Sequence, residues 1–286
     1  MKIIITGASG NIGSKLFAKL SDSDGNQVIG LSRSPHKGLE TTDYSISELE
    51  KLFQNAGIVI HLASHRGIEN DYHSFVDNEK IIENILKAMQ TTKVPRIIFM
   101  SSIAVYSDES MLPWKEEQYP TPQSFYGLSK LTCEYLCKQY SAAGIDYTIF
   151  RCGIVFGGDH SKRMVSKFID EAIDKKTLSL NGKSIARRDF IYVKDAVSAL
   201  LWGIYEAKEK NQIYNLGCGV PMSNLEIAET INECFDNTGN LIYDDSVKET
   251  VINSYMDISK ISGAGFHNNF TFNSALQDIK QEYKQR

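Results

Sequence analysis

A tyrosine and a lysine lie four residues apart in the run Tyr126-Gly127-Leu128-Ser129-Lys130. In a helix this spacing places the two side chains on one face, a single turn apart. A free phenol, with a pKa of about 10, is a weak base at neutral pH. A neighbouring ammonium group stabilises the phenolate and lowers that pKa. The pair therefore predicts an acid–base catalyst, and the alternative is an ordinary helical tyrosine beside a solvated lysine.

A serine precedes this pair by one loop. Ser102 follows the apolar run Ile97–Met100, which predicts a buried strand. Ligands collect at the carboxyl ends of parallel strands, so Ser102 could hydrogen-bond the substrate oxygen that Tyr126 deprotonates. The alternative role of this serine is to cap backbone groups at the strand end.

Three glycines, Gly7, Gly10 and Gly13, follow the apolar run Ile3–Ile5 at the start of the chain. An amphipathic pattern over Ile12–Leu20 comes next. A strand, a tight turn and a helix N-terminus in this order are typical of a pyrophosphate-binding turn. Glycine turns of this kind also join strands to helices in proteins that bind no nucleotide.

The residues at the end of the second predicted strand, Val28–Leu31, indicate which cofactor the chain binds. Sites for NAD usually present a carboxylate there, whereas this chain continues with Ser32-Arg33-Ser34. A guanidinium group pairs well with a 2′-phosphate. The cofactor is therefore predicted to be NAD or NADP, with Arg33 favouring NADP; the alternative is a solvent-exposed arginine in a turn.

Size and composition exclude several classes of protein. The 286 residues carry a net charge of -4, with no block of like charge that would indicate a nucleic-acid partner. No apolar run approaches the length of a membrane span, so we expect a cytoplasmic protein without a membrane partner. The five cysteines are irregularly spaced, which predicts reduced thiols and no metal site.

Short apolar runs alternate with helical patterns from the start of the chain to Phe150, and the alternation is less regular after it. This order predicts an α/β fold with a doubly wound parallel sheet. The first domain is predicted over 1–152 and 187–220, and a smaller, mainly C-terminal substrate lobe over 153–186 and 221–286. The predicted strands are Ile3–Ile5, Val28–Leu31, Ile58–Ala63, Ile97–Met100, Tyr147–Phe150 and Ile213–Leu216; the predicted helices are Ile12–Leu20, Ile46–Phe53, Phe75–Met89, Ser129–Tyr140, Met164–Ile173 and Asn224–Phe235.

Five motifs in register resemble those of the extended short-chain dehydrogenase/reductases, in particular the NAD-dependent epimerase/dehydratase branch that acts on nucleotide sugars. The resemblance covers at least residues 1–220 and implies a Rossmann-type domain. The motifs are Thr6-Gly7-Ala8-Ser9-Gly10-Asn11-Ile12-Gly13, Val59-Ile60-His61-Leu62-Ala63-Ser64, Ser101-Ser102-Ile103-Ala104-Val105-Tyr106, Tyr126-Gly127-Leu128-Ser129-Lys130 and Arg188-Asp189-Phe190-Ile191-Tyr192-Val193-Lys194-Asp195.

The resemblance implies a role for each matching residue. Tyr126 is the acid/base, Lys130 also binds the nicotinamide ribose, and Ser102 binds the reacting hydroxyl or ketone. Arg188 clamps the nucleotide diphosphate of the substrate. The resemblance also implies a homodimer, formed through the helices Phe75–Met89 and Ser129–Tyr140. The cofactor-binding residues are Gly7, Ser9, Gly10, Asn11, Ile12, Gly13, Ser32, Arg33, Asp43, Tyr44, Leu62, Ala63, Ser64, Tyr126 and Lys130.

Two departures from the family pattern limit the reactions that we expect this chain to catalyse. Dehydratases place an Asp-Glu pair after the catalytic serine or threonine, whereas this chain has Ile103 and Ala104, which disfavours dehydration. Ile154 stands where many relatives carry a diphosphate-binding asparagine. The alternative to a nucleotide sugar is therefore a smaller or uncharged substrate. The predicted function is a nucleotide-sugar 4-epimerase; the alternatives are an NADPH-dependent 4-keto-sugar reductase and a non-catalytic protein that senses the cofactor.

Overall fold

The computed structural model describes residues 1–23, 25–65, 71–158, 163–244, 246 and 251–284. The chain divides into two compact units. The first comprises Met1–Ser107, Glu116–Cys152 and Val197–Asn215, and the second comprises Asp108–Lys115, Gly153–Ala196 and Leu216–Arg286. Residues 108–115, 187–196 and 216–220 therefore lie in the second unit, although the sequence boundaries assigned them to the first domain.

A seven-stranded sheet forms the centre of the first unit, in the order β11-β6-β5-β4-β1-β2-β3. The pairs from β3 to β6 are parallel, which confirms the doubly wound α/β fold. The strand order reverses between β1 and β4, which is where such sheets bind ligands. The strands of this sheet are β1 (Lys2–Thr6), β2 (Gln27–Ser32), β3 (Glu40–Thr41), β4 (Ile58–His61), β5 (Arg96–Ser102), β6 (Asp146–Cys152) and β11 (Gln212–Leu216).

The central strands are buried because helices cover them. Ile3, Ile4 and Ile5 have no exposed surface, as continuous apolar runs predict for strands covered on both faces. The α-helices are α1 (Asn11–Ser21), α2 (Ile46–Phe53), α3 (Tyr72–Thr92), α4 (Phe125–Ser141), α5 (Met164–Ile173), α6 (Val193–Tyr205), α7 (Asn224–Cys234), α8 (Ser259–Gly263) and α9 (Phe272–Lys284); 3₁₀ helices span Ile103–Val105 and Glu109–Met111.

The described residues of the second unit form three two-stranded sheets: β7 with β10, β8 with β13, and β9 with β12. Its helix α9 was not predicted from the sequence, and the Asp278 carboxylate on that helix accepts hydrogen bonds from Tyr192 and Lys194. Within the described residues, no helix combines the length and apolarity that crossing a bilayer requires. The strands are β7 (Ile154–Phe156), β8 (Leu178–Asn181), β9 (Arg187–Arg188), β10 (Phe190–Tyr192), β12 (Met222–Ser223) and β13 (Leu241–Asp244).

Candidate active site

The glycine turn joins β1 to α1, as the sequence predicts. Gly7 has a φ of +69°, and a Cβ atom there would lie 2.6 Å from the backbone nitrogen of Ala63, just beyond β4. A Cβ atom on Gly13 would lie 2.2 Å from the carbonyl oxygen of Gly7. Both positions require glycine for the turn to lie this close to its neighbours. The turn leads into the N-terminus of α1, where backbone N–H groups favour a phosphate.

A cleft of about 280 Å³ lies over this turn. Most of the predicted cofactor-binding residues line it. Asn11, Ile12 and Gly13, in the first turn of α1, and Tyr126 and Lys130, on α4, are not among the lining residues. Asp43 is not part of the lining; its carboxylate accepts a hydrogen bond from the Ser45 N–H. The cleft is lined by Gly7, Ser9, Gly10, Ser32, Arg33, Ser34, His36, Tyr44, Leu62, Ala63 and Ser64.

Hydroxyl and cationic groups form one wall of the cleft, at the end of β2. The Ser32 hydroxyl lies 3.1 Å from that of Ser9 and 3.4 Å from Nδ1 of His36. Arg33 is exposed and lines the same wall. His36 is not among the cofactor-binding residues predicted from the sequence, although it lies only a few residues beyond the end of β2. This wall carries donors at the position where a carboxylate usually binds the ribose of NAD.

Tyr44 forms another wall of the cleft and is almost fully buried. Its backbone has a φ of 60°, and its carbonyl oxygen accepts a hydrogen bond from the Asn84 side chain. Burial raises the pKa of the phenol, while the Gly7 backbone and the Arg33 charge oppose that shift. The Tyr44 side chain therefore lies beside both the glycine turn and Arg33.

A threonine at the end of β1 organises the end of β4. The Thr6 hydroxyl accepts hydrogen bonds from the N–H groups of Leu62 and Ala63, and it lies 2.8 Å from Nδ1 of His61. His61 is buried and stacks on Phe99. Burial and the nearby charge of Lys130 lower its pKa to about 3, so the imidazole is neutral. His61 therefore has a structural role.

The predicted catalytic residues converge at the end of β5. Tyr126 lies in the first turn of α4, and the buried Lys130 ammonium lies 5.8 Å from the centre of the Tyr126 ring. Lys130 Nζ also donates a hydrogen bond to the carbonyl oxygen of Met100. The hydroxyl of the half-buried Ser102 accepts a hydrogen bond from the Ala104 N–H. The helix start touches this segment, because a Cβ atom on Gly127 would lie 2.1 Å from the Ala104 carbonyl oxygen.

Hydrogen bonds connect the loop after β4 to the catalytic helix. The Asn78 amide accepts a hydrogen bond from the His65 N–H and donates to the Ser129 hydroxyl. Ser129 in turn donates to the carbonyl oxygen of Tyr126. Asn78 therefore has a positional role. Arg66, which follows His65 in the sequence, lies outside the described residues.

Arg188 lies in the second unit, on β9. Its buried Nε atom has no hydrogen-bond partner, and it takes part in none of the ion pairs found among the described residues. Arg187, by contrast, is paired with Glu226. The Asp189 carboxylate accepts a hydrogen bond from the Cys218 N–H. Among the described residues, Arg188 and Asp189 form no ion pair with each other. A guanidinium without a counterion is suited to an anionic ligand.

The chain matches the model of a known family. The NAD dependent epimerase/dehydratase family matches the chain over residues 3–217. The chain belongs to that family. The resemblance seen in the sequence is therefore confirmed.

Individual relatives of this epimerase/dehydratase are similar over nearly their whole length. UDP-N-acetylglucosamine 4-epimerase from Bacillus cereus is 31% identical, with a TM-score of 0.92 and coverage of 100% of this chain and 97% of its own. A Methanocaldococcus jannaschii protein that carries the provisional name UDP-glucose 4-epimerase is 30% identical, with 92% of each chain covered. UDP-glucuronic acid 4-epimerase from Bacillus cereus, solved with UDP-glucuronic acid and NAD, is 25% identical, with a TM-score of 0.86 and coverage of 100% and 99%.

This member of the family lacks an acid at the positions that follow Ser102. Ile103 and Ala104 begin a 3₁₀ helix, and Ile103 is buried. Neither side chain exchanges protons, so these positions provide no acid for the elimination of water.

The cysteines of this family member are free thiols. Burial raises the pKa of Cys133 to about 12, so this thiol stays protonated. In the part of the chain that the structure describes, no three His, Cys, Asp or Glu side chains are grouped as a metal site requires.

Proposed function

We propose that the protein is a nucleotide-sugar 4-epimerase that works with NAD or NADP. The observation that carries this proposal is the Lys130 ammonium beside the Tyr126 ring at the end of β5. The cofactor cleft lies in the same unit, lined by Ala63 and Ser64 beyond β4. The names of the relatives support the substrate class, because they act on UDP-sugars at carbon 4.

The residues fit a bound dinucleotide. Gly7 and Gly13 allow the turn to pack against the neighbouring backbone, and the turn leads into the N-terminus of α1, which would bind the pyrophosphate. Ser9, Ser32 and Tyr44 would hold the adenosine half, and Lys130 the nicotinamide ribose. When bound, the nicotinamide ring supplies a hydride acceptor and donor.

Tyr126 moves the proton of the reaction. As a phenolate it accepts the proton of the sugar hydroxyl, and in the reverse direction it returns that proton to the ketone oxygen. The Lys130 ammonium lies beside the Tyr126 ring, where its charge stabilises the negative charge on the phenol oxygen during the transfer. Ser102 hydrogen-bonds the same sugar oxygen and orients it toward Tyr126. An epimerase requires this exchange twice, with the sugar presenting opposite faces.

The second unit is proposed to be the substrate-binding lobe. Arg188 would clamp the diphosphate of the nucleotide sugar through its guanidinium, whose Nε has no partner among the described residues. Ile154 begins β7 in the same unit and offers no amide to the diphosphate. Arg188 therefore carries more of this recognition than in relatives that have an asparagine at that position.

The wall formed by Ser32 and Arg33 supports a second candidate, an NADPH-dependent 4-keto-sugar reductase. Arg33 is exposed at the cleft, in reach of solvent and of a 2′-phosphate. We propose that the protein accepts NADP as well as NAD through this residue. Arg33→Ala should weaken NADP binding by about tenfold or more and leave NAD binding nearly unchanged, as measured by calorimetry.

Cofactor stoichiometry separates the two candidates. The protein should be incubated with UDP-glucose, UDP-N-acetylglucosamine or UDP-glucuronic acid, together with NAD at a small fraction of the sugar concentration. A 4-epimerase converts the sugar to its 4-epimer with no net change in absorbance of the reduced cofactor. A reductase leaves these sugars unchanged and consumes NADPH in proportion to a supplied 4-keto sugar.

We also propose that the protein is a homodimer formed through α3 and α4. Exposed apolar side chains on these two helices form a patch on one unit: Tyr72, Val76, Phe125, Leu128 and Tyr135. The rings of Tyr72 and Phe125 pack edge to face, with centroids 5.8 Å apart. An exposed apolar patch of this kind is typical of a subunit interface.

A further inference from the structure

A buried ion pair lies directly behind the proposed catalytic residues. The Arg151 guanidinium donates hydrogen bonds to both carboxylate oxygens of Glu134, with 2.7 Å between Nη2 and Oε2. The two side chains are 2% and 0% exposed. An ion pair without solvent is a poor source of stability, because removing both charges from water opposes their attraction. Its position in the site therefore needs another explanation.

The carboxylate belongs to the catalytic face of α4. Tyr126, Lys130 and Glu134 follow each other at intervals of four residues, so they form one row along the helix. Lys130 donates a hydrogen bond to the Met100 carbonyl, and Glu134 accepts one from the Ser101 hydroxyl at 2.5 Å. This row thus holds consecutive residues of β5, and the next residue along that strand is Ser102.

Arg151 holds the other end of the same loop. It lies opposite Ser101 on the neighbouring strand β6, and its Nη1 donates a hydrogen bond to the Tyr106 hydroxyl at 2.7 Å. The Tyr106 hydroxyl in turn donates to the Asn215 side chain. Burial raises the pKa of Tyr106 to about 12, which keeps this phenol a donor. Ser101 and Tyr106 bracket Ser102, so one ion pair ties both ends of the segment that carries it.

We propose that Glu134 and Arg151 are positioning residues that fix Ser102 relative to Tyr126 and Lys130. The ion pair joins the catalytic helix to both ends of the Ser101–Tyr106 segment, and rigid placement of a reacting group is worth a large rate factor. This inference rests on the proposed function only for its kinetic effect. The geometry concerns the first unit alone.

The kinetic test uses two variants that disturb the contacts of Glu134 to different degrees. Glu134→Gln keeps the shape and one acceptor but removes the charge, and Ser101→Ala removes only the hydroxyl that Glu134 holds. We expect Glu134→Gln to lower kcat for the UDP-sugar on the order of 10- to 100-fold, and Ser101→Ala to lower it less. KM for the sugar and Kd for NAD should change by less than about threefold. Glu83→Gln, which removes an exposed ion pair with Lys87 on α3, should leave kcat unchanged.

A double-mutant cycle separates positioning from general damage. In the Ser102→Ala background, Glu134→Gln should have little further effect on kcat, because the residue that it positions is already gone. Losses that multiply in the double variant, or a wild-type kcat in both Glu134→Gln and Ser101→Ala, would overturn the proposal.

Hydrogen exchange provides a readout that needs no turnover. Amides of Ser101–Tyr106 should exchange faster in Glu134→Gln than in the wild type, while those of Gly7–Ile12 keep their rates. If the wild-type protein converts no UDP-sugar, the proposed function fails while this comparison still decides the positioning role. Unchanged exchange in the Ser101–Tyr106 segment would contradict that role.

Discussion

At the scale of single residues, the proposed reaction depends on the phenol of Tyr126. Tyr126→Phe removes the proton carrier and leaves the ring, so we expect kcat to fall by about 10² to 10⁴. Binding of NAD should change little, which calorimetry would check. Tyr119→Phe is the matched control, because that tyrosine is 84% exposed, and it should keep full activity. Wild-type turnover by Tyr126→Phe would rule out this tyrosine as the acid/base.

Asp189 is expected to make the stability of the second unit depend on pH, with a sign opposite to the usual one for a carboxyl group. Burial raises the pKa of its carboxyl from 3.8 to about 6, so between these values the folded state binds more protons than the unfolded state. Stability must therefore fall as pH rises through this window, and the cost is fully present above pH ~6. A shift of this size corresponds to about 3 kcal/mol.

Urea unfolding of wild type and Asp189→Asn at several pH values measures this effect. Relative to the variant, the wild type should lose up to about 3 kcal/mol between pH ~4 and pH ~6 and change little above it. Asp257→Asn is the control: hydrogen bonds from Ser259 lower the pKa of the Asp257 carboxyl below 3.8, so the difference between wild type and this variant should stay constant above pH ~4. A difference between wild type and Asp189→Asn that stays constant from pH ~4 to pH ~7 would contradict the assignment.

At the scale of elements, two glycines of the turn between β1 and α1 are expected to have different roles, one in folding and the other in cofactor binding. Gly13→Ala would place a Cβ atom 2.2 Å from the Gly7 carbonyl oxygen, whereas the nearest atom to a Cβ on Gly10 is 3.2 Å away. We expect Gly13→Ala to destabilise the free protein by about 1–3 kcal/mol. Gly10→Ala should lower the melting temperature little and weaken NAD binding, because the pyrophosphate approaches there.

Thermal unfolding with and without NAD distinguishes the two effects. Gly263→Ala is the control, since a Cβ atom there meets no atom within 4 Å, and it should neither lower the melting temperature nor weaken NAD binding. Equal losses of stability in Gly10→Ala and Gly13→Ala without NAD would contradict the assignment.

The elements of the first unit could be predicted because their signals are local. An apolar run such as Ile3–Ile5 predicts a buried strand, and the pattern over Ile46–Phe53 gives α2 with its observed bounds. The two-residue strand β3 and the C-terminal α9 were missed. Strand β3 is too short to show a period. Helix α9 has the buried residues Ala275, Leu276 and Ile279 at helical spacing, so its pattern was available in the sequence.

The remaining parts of the site depend on tertiary contacts. The approach of Gly127 to Ala104 and the burial of Glu134 against Arg151 join segments that are distant in sequence. No spacing in the chain indicates these contacts. The Tyr126–Lys130 spacing, by contrast, lies within one helix, which is why that pair could be recognised.

At the scale of the whole molecule, the apolar patch on α3 and α4 predicts a dimer. Light scattering should give twice the mass of one chain for the wild type, because burying this patch against a second copy removes its apolar surface from water. Tyr135→Glu places a charge in the patch, at a side chain that is 49% exposed in one chain, and should shift the protein to monomers. Val220→Glu, an exposed position in the second unit, should leave the dimer intact. A monomeric wild type at micromolar concentration, or dissociation by Val220→Glu alone, would show that α3 and α4 do not form the interface.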